Sequence, residues 1–227
     1  MIVTLIISIP LSTGAGIYLA EYAKKGPITN FIRTCIEILS SLPSVVVGLF
    51  GYLIFVVQFE YGFSIISGAL ALTVFNLPQM TRNVEDSLLH VHHTQREAGL
   101  ALGLSRWETV FHVVIPEALP GIVTGIVLAS GRIFGEAAAL IYTAGQSAPA
   151  LDWSNWNPLS VTSPISIFRQ SETLAVHIWK VNSEGTIPDA TLVSAGSAAV
   201  LLIFILIFNF SARFIGKKLH SKMTAAK

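Results

Sequence analysis

This chain of 227 residues is short of cysteine and short of charge. Its one cysteine, Cys35, excludes an intrachain disulfide and reads as apolar filler near a helix end. Charged residues make up 12% of the sequence, where a soluble domain carries roughly 25%. The net charge of +1 gives no footprint for nucleic acid. No Gly-x-x-x-x-Gly-Lys phosphate cradle occurs, so the chain does not hydrolyse ATP by that device. No nucleophile and base are spaced for covalent catalysis either. A soluble enzyme and a disulfide scaffold are both excluded, and the chain is expected not to be an enzyme.

What is present is apolar sequence. Hydrophobic residues reach 52% and the mean hydropathy is +0.67. Several runs reach about 18 residues or more, enough to cross a bilayer as helices. The expectation is an all-α polytopic membrane bundle in a single domain, 1–227, with about five spans near 2–20, 36–59, 63–80, 115–144 and 191–212. The first is interrupted by Pro10, Gly14 and Gly16. Residues 145–190 form a long connection holding Trp153, Trp156 and Trp179, which belong at a membrane–water interface or inside the loop.

Basic residues orient the bundle. Lys24, Lys25, Arg33, Arg82, Arg96, Arg106, Arg213, Lys217, Lys218, Lys222 and Lys227 fall on one side, and Arg169 and Lys180 on the other. The positive-inside rule places the rich side, with the C-terminus, in the cytoplasm and the 145–190 loop outside. Five spans then leave the N-terminus outside, although no basic n-region follows Met1. The reading is that a span upstream is missing.

Between the third and fourth spans, residues 82–114 form an amphipathic segment. Gly103 suits the positive-φ position just past a helix end. Ser105 and Glu108 have the spacing of a capping box, in which each side chain bonds the other's backbone amide. A helix–turn–helix follows, whose second helix would carry Trp107, Val110, Phe111 and Val114 on one apolar face. Residues 97–116, EAGLALGLSRWETVFHVVIP, resemble the EAA loop of ABC importer permeases in the spacing of Glu97, Ala98, Gly103 and Pro116, with Gly99 in place of the second alanine. In that family the loop docks onto the ATPase subunit. The resemblance assigns Glu97, Ala98, Gly103, Ser105 and Pro116 to coupling.

GIYLAEYAKKG (16–26), SSLPSVVVGLFGY (40–52), LPGIVTGIVLASGRIFGEAAALIYTAG (119–145) and IFRQSETLAVHIW (167–179) are similar to PstA-type permease subunits of phosphate ABC importers. One departure is Ala137-Ala138-Ala139, where that family often has Thr-Ala-Pro after Gly-Glu. The resemblance implies the type I ABC importer permease fold, usually with one more span. It further implies a phosphate pathway shared with a homologous PstC-type permease, a PstB-type ATPase dimer holding ATP and Mg, and an external PstS-type phosphate-binding protein. No cofactor is expected in this chain, and its place is the bacterial cytoplasmic membrane among lipid. A permease for sulfate or molybdate is the alternative within the class, and an ATP-independent secondary transporter the alternative outside it.

Arg132 and Glu136 stand at i and i+4 in an apolar helix, on one face. Charges at membrane depth cost several kcal/mol and default to function. Arginine presents a fork of donors suited to phosphate. The pair serves either the substrate pathway or a structural salt bridge. Arg82, after Leu77-Pro78 at the end of the third span, has the same two readings: the family has a matching arginine associated with transport, and a basic residue belongs there by charge bias alone. Gly121/Gly125 and Gly131/Gly135 are two Gly-x-x-x-Gly levels at which a neighbouring helix can approach. His90, His92 and His93 lack the ligands to complete a tetrahedral metal set, so no metal is expected.

Overall fold

The computed structural model describes residues 1–184 and 188–225, so Lys227 and residues 185–187 of the long connection lie outside the described residues. All regular elements among them are helical. Helix α1 (Ile2–Ile17) passes into a π turn, Tyr18–Tyr22, and α2 covers Pro27–Ser40. Helix α3 (Ser44–Gly51) continues as a π segment to Gln58, and α4 runs Ile65–Leu89. Helix α5 (His93–Ala101) is followed by α6 (Arg106–Thr109), a π segment (Val110–Val114) and α7 (Ile115–Gly135) in one unbroken rod. Three more follow: α8 (Ala138–Thr143), α9 (Leu174–Glu184) and α10 (Ala190–Ala225).

Among the described residues, three helices are long and apolar enough to cross a membrane: Ile2–Tyr22, Arg106–Gly135 and Ala190–Lys222. Pro27–Ser40 with Ser44–Gln58 makes a fourth if that broken pair is one span. The run at 36–59 is therefore not one helix. Pro43 has no amide to continue α2, and it biases Leu42 away from helical ψ. The run at 63–80 falls in α4 from Ile65 onward, and α4 is not among the three. Its hydropathy is lowered by side chains that face protein rather than lipid. Ser67, Thr73, Asn76, Thr81 and Glu85 are buried, with Thr73 and Asn76 donating to the carbonyls of Ala69 and Leu72. Pro78 sits inside α4 without ending it. The expected fourth span, 115–144, instead starts at Arg106 and stops at Gly135, and α8 is separate from it.

The chain divides into two compact units. One comprises Met1–Ile7, Ser41–Asn76 and Gly131–Leu206, and the other Ser8–Ser40, Leu77–Ser130 and Ile207–Lys227. The first is built on Leu72, Ile133, Ala139, Leu140, Ala144 and Val176. Its tryptophans do not pack inward: Trp153, Trp156 and Trp179 are all exposed. The second is built on Val84, Leu88, Val91, Val114, Ala118 and Ile122. There α7 closes on α4 at the first glycine pair. A Cβ on Gly121 would sit 2.7 Å from the Ser87 hydroxyl, and one on Gly125 would sit 2.8 Å from the Asn83 Cβ. At the second pair, Gly131 and Gly135, none of the described residues comes within 4 Å of a Cβ position. Helix α10 exposes Leu202, Ile203, Phe210 and Phe214. An apolar surface of that kind is stable against lipid or another apolar chain, not against water.

Candidate functional site

Residues 93–109 form a helical hairpin. Leu102 closes α5, and Gly103 follows at φ +85°, in the left-handed region that glycine enters without steric cost. Two residues on, Ser105 caps α6. Its hydroxyl accepts from the Glu108 amide at 3.3 Å, and its own amide donates to the Glu108 carboxylate at 2.8 Å. The turn and the capping box are therefore where the residue order places them. The apolar face is different. Val110 and Val114 are buried, whereas Trp107 and Phe111 are exposed and stack on each other at 4.1 Å. The π segment adds a residue to the turn, which separates these two pairs instead of merging them.

Among the residues assigned to coupling, Glu97 is exposed and meets His93 Nδ1 at 3.1 Å. Ala98, Gly103 and Ser105 are also exposed, and with Leu100 and Leu102 they make an apolar, solvent-facing tip. Pro116 is buried, and its carbonyl meets His220 Nδ1 at 3.1 Å. Gly99 fills the place of an alanine in the motif. A Cβ there would lie 2.8 Å from the Thr109 methyl, so the two arms of the hairpin touch where this residue has no side chain.

The membrane-depth charges are arranged otherwise than expected. Helix α7 ends at Gly135, so Glu136 leaves the helix and the i, i+4 relation with Arg132 is not realised. Among the described residues Arg132 makes no ion pair. Its guanidinium lies over the Phe75 ring, 3.9 Å from the centroid. Glu136 turns away and accepts the Ala139 amide at 3.1 Å, in the first turn of α8. Arg82 lies two turns before the end of α4. It donates to Glu37 at 2.7 Å and approaches Asp86 at 3.9 Å. The Glu37 hydrogen bond and charge raise its pKa, so it stays cationic. Beside it Arg33 pairs with Glu85 at 2.6 Å, and the two pairs line a cavity of about 310 Å³. His90 meets the Asp86 carbonyl, and His93 meets Glu97.

One cluster was not legible in the sequence. Glu21, on the π turn after α1, is buried and paired with Arg96 at 2.7 Å. Arg106 donates to the Glu21 carbonyl and stands over the Tyr22 ring at 5.3 Å. The available signal was a single carboxylate inside an apolar run.

Residues 12–225 match the family model described as the binding-protein-dependent transport system inner membrane component. The chain belongs to this family. As one of these inner-membrane components it is a membrane-embedded permease subunit of an ABC importer rather than an enzyme, which sets aside the ATP-independent transporter. Such permeases act with a second permease, an ATPase and a substrate-binding protein.

Relatives include the probable ABC transporter permease protein YqgI of Bacillus subtilis, 56% identical over 99% of this chain and 76% of its own length. The phosphate transport system permease protein PstA 2 of Mycobacterium bovis is 36% identical over 90% of this chain, which spans 64% of that protein. The PstA protein of Yersinia pestis is 38% identical over 95% of this chain and 68% of its own. Inward-facing structures of the MetNI methionine ABC transporter share the fold, with a TM-score of 0.67 at 17% identity over 96% of this chain and 88% of that one. The hairpin 93–109 lies within the residues that the family model matches.

Proposed function

We propose that this permease forms one half of a phosphate pathway, beside a homologous PstC-type permease. A PstB-type ATPase dimer, holding ATP and Mg, docks on the exposed tip of the 93–109 hairpin from the cytoplasm. A PstS-type protein delivers phosphate on the other face, and the C-terminus is cytoplasmic.

The observation that carries the substrate reading is the Arg132 guanidinium. It sits in an apolar spanning helix with an aromatic face against it and, among the described residues, no carboxylate on it, which leaves its donors for an anion. A ring stacked on a guanidinium holds its plane without consuming its N–H groups. Glu136 accepts the Ala139 amide at the start of α8 and is not engaged by the guanidinium among the described residues. Arg82 already has carboxylates on it and would bind phosphate only by exchanging Glu37. Arg82 is therefore the weaker of the two candidates for anion binding. The relatives named for phosphate transport favour phosphate over sulfate or molybdate.

The test is uptake of labelled phosphate and sulfate with Arg132→Gln in the assembled complex. Phosphate uptake should fall by more than about tenfold, the equivalent of 1.4 kcal/mol in transition-state binding, with assembly intact. Glu136→Gln, which keeps an acceptor for the Ala139 amide, should lose far less. Normal phosphate uptake by Arg132→Gln would remove the pathway assignment, and sulfate uptake by the unmodified complex would change the substrate.

A further inference from the structure

We infer that Glu21 is the residue through which movement of the coupling hairpin reaches α1. This inference rests on the hairpin being the ATPase docking element, and it names a positioning residue that docking alone does not require.

Three arginines converge on the π turn Tyr18–Tyr22. Arg96, from α5, places Nε at 3.1 Å and Nη2 at 2.7 Å from the same Glu21 carboxylate oxygen. Arg106, from the start of α6, donates to the Glu21 carbonyl. Arg33 donates to the Leu19 carbonyl at 3.4 Å while holding Glu85 at 2.8 Å. A helix leaves its last carbonyls unpaired, and here Arg33 and Arg106 take them up.

The pair is shielded, with 8% of the Glu21 side chain and 18% of the Arg96 side chain exposed. It is therefore far less screened than a surface ion pair. Arg96 is also immobilised on its far side. It donates to the Val91 carbonyl at 2.5 Å and the Leu88 carbonyl at 2.7 Å, capping the end of α4. Each arm of the hairpin thus holds Glu21 by a different group, the carboxylate for α5 and the backbone oxygen for α6. The arms are locked together where Gly99 meets Thr109. A rigid hairpin fastened at two points cannot shift without carrying the π turn or breaking both contacts.

A cavity of about 360 Å³ borders the cluster and is lined by Glu21, Arg96, Arg106 and Thr109. The Thr109 hydroxyl within it is buried and has no hydrogen-bond partner among the described residues. Small displacements of the clamp therefore have room to occur. Short π turns recur where a helix must adjust for function.

The experiment measures phosphate taken up per ATP hydrolysed, in proteoliposomes holding the whole complex. Glu21→Gln keeps the size of the side chain and removes the charge. The expected result is an assembled complex with ATPase activity within about twofold of the unmodified one and a transport ratio lowered about tenfold, the factor 1.4 kcal/mol corresponds to. A structural role would instead lower both rates together and leave the ratio unchanged, which overturns the inference.

A second arm covers loss of assembly in Glu21→Gln. With Cys35→Ser as background, Glu21→Cys and Arg96→Cys are bridged by a short bis-methanethiosulfonate. The bridge should restore the ratio and thiol reductant should abolish it again. A ratio indifferent to the bridge overturns the inference. If the unmodified chain fails to co-purify with an ATPase, the proposed function falls instead. If it couples ATP to a different anion, the ratio is read on that anion.

Discussion

Replacing Gly103 tests the coupling hairpin at the point where its backbone is least replaceable. The residue sits at φ +85° with nothing within 4 Å of the place a Cβ would occupy. A substitution therefore causes no clash with a neighbour, and its whole effect comes from backbone conformation. The left-handed region costs an L-residue about 1–2 kcal/mol, more for a β-branched side chain and less for asparagine. Moving the turn would also disturb the Ser105–Glu108 capping box two residues on, worth about 1 kcal/mol. Gly103→Val should accordingly weaken the native hairpin by about 2–3 kcal/mol, Gly103→Ala by about 1, and Gly103→Asn by less. Gly103 lies outside the candidate spans, so membrane insertion should not change. The measurement is uptake and substrate-stimulated ATPase activity of the complex across the three variants, with Trp107 fluorescence reporting the hairpin itself. The order Asn, Ala, Val of increasing uncoupling is expected. Normal coupling in Gly103→Val, or a series that ignores the φ cost, would refute the role of this turn.

Two further outcomes follow from other contacts. Gly99→Ala should loosen the hairpin by about 1–3 kcal/mol through the 2.8 Å approach to the Thr109 methyl. Adding Thr109→Ala removes that methyl and should restore coupling, and a double variant no better than the single would show that the arms do not pack this way. In a Cys35→Ser background, Ser154→Cys should react with a membrane-impermeant maleimide in intact cells and Ser105→Cys should not. Labelling of Ser105→Cys from outside would invert the orientation and remove the docking site with it.

The hairpin and the charged sites differ in how far apart their determinants lie. Gly103, Ser105 and Glu108 act within a few residues of one another, and both the positive φ and the capping box were readable from their order. Helical character and membrane residence were equally readable, because apolar length and scarce charge do not depend on what lies next to the helix. The spans themselves were less so. Leu42-Pro43 breaks 36–59, and α4 carries buried polar groups that lower its hydropathy without making it a surface helix.

Sequence alone determined the class of molecule, the hairpin's turn chemistry and the residue types at membrane depth, since these follow from local backbone preference and from transfer out of water. Tertiary structure decided the partners. Glu21 meets Arg96 across 75 positions, Arg82 meets Glu37 across 45, and Arg132 faces Phe75 instead of the glutamate four residues on. Periodicity says which face of a helix is apolar, but not which helix stands opposite it. It also assumed that α7 continued through Glu136, whereas the helix stops at Gly135, and one residue outside a helix no longer shares its face. Charges inside an apolar bundle must find partners wherever the packing of other helices brings them. That packing is set by close approaches such as Gly121 on Ser87 and Gly125 on Asn83, which exist only once the chain has folded.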